Sequence, residues 1–133
     1  KGFEVVARED TNGTFDSALE AAKKILNEQP DITASLCGND QMAVAAKTAL
    51  NLAGNDQTVV YSIDGSPDIK KELKKADGQI AGTVAQSPVN IGKKAVDIAL
   101  DILEGKDFEK ETSVDVFMIN KENVEMYGAD GWQ

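Results

Sequence analysis

Four polar residues and one ring stand where short apolar runs give way to loops. Asn39 and Asp40 follow the run 32–37, Asp64 follows 58–63, and Gln86 follows 80–84. Phe15 opens an apolar helical stretch just after Thr14. An aspartate accepts two hydroxyl protons, while Asn and Gln each supply a donor and an acceptor. A ring can cover the weakly polar C–H face that lies beneath a set of hydroxyls. Such a mix of apolar lining and a few fixed polar groups suits a neutral polyhydroxylated ligand, a sugar above all. Nothing in the set is basic, so a phosphate or carboxylate is poorly served.

Each member also has a plainer reading. Asn39 or Asp40 could cap the next helix, and Asp64-Gly65 could be a turn alone. Gln86 by itself reads as a solvated polar residue, and Phe15 as core. Cys37 reads as a small buried hydrophobe closing a strand. Spacing leaves these alternatives open.

The rest of the composition removes most other chemistry. At 133 residues the chain has the size of one domain. It contains no histidine and a single cysteine. Ordinary zinc and haem sites, Ser–His and Cys–His nucleophile pairs and an internal disulfide are thereby excluded. The carboxylates Glu9-Asp10 have no accompanying base, metal cluster or phosphate loop, so an enzyme is not expected and no cofactor is implied.

The formal charge is −9. That lacks the basic footprint of a nucleic-acid binder and disfavours anionic ligands. The one basic cluster, Lys70-Lys71 with Lys74-Lys75, reads as a solvated helix face. No apolar run approaches the ~18 residues of a membrane span. Lys1-Gly2-Phe3 is neither an initiator methionine nor a signal peptide, so processing or a longer parent is expected.

Strand and helix patterns alternate with short connectors. That order predicts an α/β fold of three α/β/α layers, with helices over a mostly parallel open sheet of about five strands. Residues 3–7, 32–37, 58–63, 80–84 and 114–119 read as strands. The third is a continuous apolar run, as for a strand buried on both faces. Helices are predicted over 15–28, ended by Pro30, and over 41–53, stopped at Gly54-Asn55. Ser66-Pro67 and Ser87-Pro88 give cap and first-turn signals for two more, ending near Gly78 and Gly105. The last carries Ile91, Ala95, Ile98, Ala99 and Ile102 along one face. Asn120 caps a short terminal helix. In open α/β sheets ligands bind beyond the carboxyl ends of the strands, so Phe15, Asn39, Asp64 and Gln86 are expected on one rim.

Four segments carry a resemblance. Gly38-Asn39-Asp40-Gln41-Met42-Ala43 resembles the N-D-x-M-A element of type I periplasmic sugar-binding proteins of ABC transporters, the ribose-binding family in particular. Val60-Tyr61-Ser62-Ile63-Asp64-Gly65-Ser66-Pro67-Asp68 is similar to that family's V-G-F-D-G-x-P-D segment. Ala81-Gly82-Thr83-Val84-Ala85-Gln86-Ser87-Pro88 is similar to its A-A-T-I-A-Q-x-P segment, and Thr14-Phe15-Asp16 to its aromatic-Asp helix start. The resemblance runs over essentially the whole chain.

It implies that residues 1–133 form the C-terminal, sugar-gripping lobe of a solute-binding protein. Phe15 would stack on the sugar ring, while Asn39, Asp64 and Gln86 would bond its hydroxyls. The implied partners are a small neutral sugar, an ABC permease in the membrane and an N-terminal lobe with no counterpart here. The implied compartment is periplasmic or extracellular, with the parent either free or anchored as a lipoprotein. Segment 87–115 would cross to that other lobe, leaving the stripe on helix 88–104 without its partner. Folding back onto this lobe, or self-association of two copies, is then expected to bury it.

Two other functions share the strand–helix order. A receiver domain would place acidic Glu9-Asp10 near phosphoacceptor Asp64, with Thr83 and Lys121 in support. The loop 9–14 and the segment 39–43 have no role in it. The effector core of a LacI-type regulator resembles this fold more closely, but such cores usually carry an acidic pair in place of Asp64-Gly65.

Overall fold

The structure, a computed structural model, describes residues 2–132. Helices form where local signals demand them. α1 spans Phe15–Glu28, and α2 spans Asp40–Ala53 and ends at Gly54 in the left-handed conformation, φ 68°. Only glycine enters that region without a Cβ penalty. α3 spans Pro67–Leu73 and α4 spans Pro88–Leu103. Both begin with a serine side chain accepting from the third residue on, at Ile69 and Asn90, followed by a proline that needs no partner for its missing N–H.

Between them run β1 (Ala34–Leu36), β2 (Val59–Asp64), β3 (Ile80–Ala85) and β4 (Phe117–Asn120). They form one open sheet in the order β1-β2-β3-β4. β1, β2 and β3 are parallel, and β4 returns antiparallel on β3 with Thr83 opposite Ile119. The α/β class and the mostly parallel sheet are as expected, with four strands rather than five. Asn120 does not cap the short 3₁₀ turn Val124–Met126, whose cap position is Asn123; its Oδ1 accepts from the backbone of Glu122 and Asn123 in the turn just before it.

Four further expectations need correction. Residues 3–7 form no strand, because their apolar content suits one but no neighbouring strand offers them a ladder; Phe3, Val5 and Val6 stand exposed. The run 58–63 is not buried on both faces. Val60 and Ser62 face the core, while Val59, Tyr61 and Ile63 are each about 40% exposed. One core forms, from Leu26 of α1, Ala46 and Leu50 of α2, Ile69 and Leu73 of α3, and Val60, Ile80 and Ile119 of the sheet. It covers one sheet face; Leu36, Tyr61 and Met118 leave apolar surface on the other.

α4 also departs from what its stripe suggested. None of its residues is buried, and Ile91, Leu100 and Ile102 are exposed, so it does not fold back onto this lobe.

The fourth correction concerns the lysines of α3. Lys71, Lys74 and Lys75 are surface groups paired with Asp68, Glu125 and Glu72. Lys70 instead is wholly buried. Its partner lies at the far end of the chain, beyond any pattern that helical spacing can reveal.

Loop 9–14 carries one loose end. The Thr11 hydroxyl is the one buried side-chain oxygen without a hydrogen-bond partner among the described residues. Such a group costs about 1–3 kcal/mol. Thr11→Val keeps the shape and removes the polar atom, and is expected to raise unfolding stability by about 1 kcal/mol in a denaturant melt.

Candidate functional site

Because β1, β2 and β3 are parallel, their carboxyl ends open on one rim, and the candidate residues stand there. Asn39 is the cap of α2 and more besides. Its Oδ1 accepts from the Met42 N–H at 2.8 Å, while its Nδ2 donates to the Gly13 carbonyl at 2.9 Å. That second bond ties the loop before α1, and so Phe15, to the same rim. A side-chain amide has two donor hydrogens and two acceptor lone pairs. One of each is therefore spare for a ligand.

Asp64 ends β2 and Gln86 follows β3. The Gln86 amide Nε2 donates to Asp64 Oδ1 at 3.0 Å, and its backbone N–H to the Asp64 carbonyl at 3.0 Å. The two side chains are thus a bonded pair. Burial pushes the Asp64 carboxyl above its ordinary value, and the nearby Asp40 charge adds to this. A backbone bond from Asp40 and the Gln86 amide work the other way and do not win. Asp64 holds φ 129°, unusual for a residue with a Cβ. Strain of that kind is of order 1–3 kcal/mol and collects where a ligand must be met.

The turn behind Asp64 admits only glycine. Gly65 has φ 76°, and a Cβ there would sit 2.5 Å from that of Ala85. Gly65→Ala is expected to lower stability by about 3 kcal/mol, from overpacking and left-handed strain together. Equilibrium unfolding measures it.

Asp40, one residue past the cap, holds the rim together. Its buried carboxylate accepts from Ser62 Oγ at 2.5 Å and Thr83 Oγ1 at 2.8 Å through Oδ1, and from the Ser66 N–H at 2.7 Å through Oδ2. Thr83 Oγ1 in turn accepts from the Gly65 N–H at 3.1 Å. One carboxylate thereby joins α2, β2, β3 and the Asp64-Gly65 turn. The sequence marked Asp40 as a polar rim residue or a possible cap, not as a link between strands.

A cavity of about 670 Å³ lies against this rim, lined by Asp64, Gln86, Pro88, Val89 and Trp132. Among the described residues, Phe15 and Asn39 do not line it. They stand on the flank toward α1. Phe15 is half-buried, free to show part of its ring. Trp132 was not anticipated. Nothing in its local spacing points to the rim, and only its being the one tryptophan of the chain could have drawn notice.

Among the described residues, the acidic pair Glu9-Asp10 is engaged away from the rim. Glu9 is spent on Lys24 at 2.6 Å, and Asp10 Oδ1 accepts from the Asn12 N–H. They are not gathered around Asp64 as a receiver domain requires. The Cys37 thiol is pushed up by burial, against a weaker opposing bond with Ser35, and packs on the core.

The family model for the periplasmic binding protein domain matches residues 1–107. The chain belongs to that family. The ribose import binding protein of Salmonella typhimurium is 34% identical over 120 residues, which are 90% of this chain and 40% of that protein. Solved structures agree on the fold. A periplasmic solute-binding protein of an ABC transporter from Actinobacillus succinogenes, with bound D-allose, superposes with TM-score 0.86 at 28% identity, over 93% of this chain and 44% of that one. Another, from Bacillus halodurans with bound myo-inositol, gives 0.85 at 29% identity over 95% and 43%. The chain thus spans about 40% of the length of the curated relatives it matches. Membership in the periplasmic binding protein family replaces the receiver-domain reading.

Proposed function

We propose that this chain is the sugar-gripping lobe of a solute-binding protein that delivers a small neutral sugar to an ABC permease. The observation that carries the reading is the bonded pair Asp64–Gln86 at the carboxyl rim of the parallel sheet, facing an open cavity. A carboxylate held by one amide keeps acceptor capacity for sugar hydroxyls, and Asn39 and the Phe15 ring flank it. The chain does no covalent chemistry; it binds and releases. The names of its relatives point to pentoses, hexoses and cyclitols as the ligand class.

A single rim encloses a sugar on one side only. Closure comes from a second lobe that hinges shut over the ligand, and the closed form is what a permease recognises. Segment 87–115 is the crossover toward that lobe, which fits the bare flank of α4. The working compartment is the periplasm or the cell exterior, with the parent free or lipid-anchored.

Calorimetric titration with D-ribose, D-allose and myo-inositol tests the reading. Saturable heat with at least one of them is expected, and its absence with all three, on a folded sample, rejects it. In the chain by itself, the apolar flank of α4 is expected to be covered by a second copy. Light scattering should then show a dimer at micromolar protein, and a persistent monomer excludes that pairing.

A further inference from the structure

The cavity that Asp64 and Gln86 line is also lined by Trp132, on the tail after the last 3₁₀ turn. The tail there belongs to no helix or strand. What fixes it is Lys70. From α3 its Nζ donates to the carbonyl of Gly131 at 2.5 Å, and the residue is 0% exposed. Taking an ammonium out of water is costly unless a partner meets it. Burial pushes the Lys70 ammonium down, and the charge of Asp130 in the same tail opposes this. The contact is therefore a specific one, at the residue just before Trp132.

The indole is 48% exposed, so it keeps uncovered surface while walling the cavity. Pro88 and Val89 at the start of α4 give that cavity apolar neighbours. An indole offers a broad flat apolar face with one polar edge, suited to the C–H face of a sugar. We infer that Trp132 is a specificity-determining wall of the sugar site, and that Lys70 positions it by clamping the tail. This rests on the proposed reading of the cavity as a sugar site. It assigns the tail a part in recognition, beside Asp64 and Gln86.

Trp132 is the only tryptophan in the chain, so its emission reports one place. D-Ribose, D-allose and myo-inositol are titrated into one sample, read by calorimetry and by tryptophan emission together. The expected result is an emission change that saturates at the calorimetric midpoint, with reduced quenching by acrylamide. Trp132→Ala should weaken binding about 10-fold, and Trp132→Phe should recover most of it. Saturating heat with emission and quenching unmoved overturns the inference and leaves the proposed function standing. No heat with any sugar removes both. The clamp has its own sugar-free arm. Lys70→Met should leave a folded protein whose Trp132 is more readily quenched, and unchanged quenching in that variant refutes the clamp.

Discussion

Asp64→Asn is expected to weaken sugar binding about 100-fold while raising the melting temperature of the fold. The loss follows from chemistry: hydrogen bonds to a charged acceptor contribute roughly 1.5–3 kcal/mol, and a neutral amide returns only part of that. The gain follows from burial. The Asp64 carboxyl is pushed above its ordinary value chiefly by desolvation, so the folded protein holds that proton more tightly than the unfolded chain. Between the unfolded and the folded pKa the native state binds more protons, so stability declines as pH rises through that window. Above it the full cost of the partly buried charge is present. Asn removes the charge, keeps an oxygen to accept from Gln86, and tolerates positive φ as well as Asp does.

Two pH profiles separate the variants. In the wild type, sugar affinity should fall as pH drops through the raised pKa, while thermal stability gains a component over the same interval. Asp64→Asn should be flat in both respects. A variant that melts lower than wild type, or binds equally well, removes Asp64 from the role of strained, charged acceptor.

That trade-off also explains which features the sequence disclosed. Most helix bounds were legible because their signals are local, although α3 stops at Leu73, short of the Gly78 expected to end it. Ser66-Pro67, Ser87-Pro88 and Gly54 each act within one turn, and the helices start and stop beside them. The rim residues were legible because any polar residue after a parallel strand arrives at the same edge. Asp64 and Gln86 needed no more than that. Pairing was not legible. Residues 3–7 are apolar enough for a strand, but a ladder requires a neighbour that composition cannot supply. The apolar run 58–63 said nothing of whether a second layer covers it, and Tyr61 and Ile63 show that none does here. Lys70 looked solvated beside Lys71 and Lys74, yet its partner is 61 positions away at Gly131. Trp132 was missed for the same reason. Long-range contacts carry the positioning of this site, and spacing along the chain is blind to them.

Asp40 is the strongest instance, and its removal should have the largest effect on the fold. Asp40→Ala is expected to lower stability by about 4 kcal/mol, since it strands two hydroxyls and one backbone N–H in a buried place. That is a large share of the roughly 5–15 kcal/mol that holds a domain of this kind together. Asp40→Asn is gentler. Its remaining oxygen still serves Ser62 and Thr83, but an amide NH₂ then faces the Ser66 N–H, donor against donor, and about 2 kcal/mol should be lost. Thr83→Val isolates the coupling. Asp40 and Thr83 share one bond, and Thr83 also receives the Gly65 N–H, so the double variant should fall short of the sum of the single losses by at least about 1 kcal/mol. Hydrogen exchange at Gly65 and Ser66 should quicken before that of the β2–β3 ladder, because the turn loosens first. Strict additivity in the cycle, with those two amides still protected, would mean that Asp40 does not couple the strands to the turn and that something else sets the angle of Asp64.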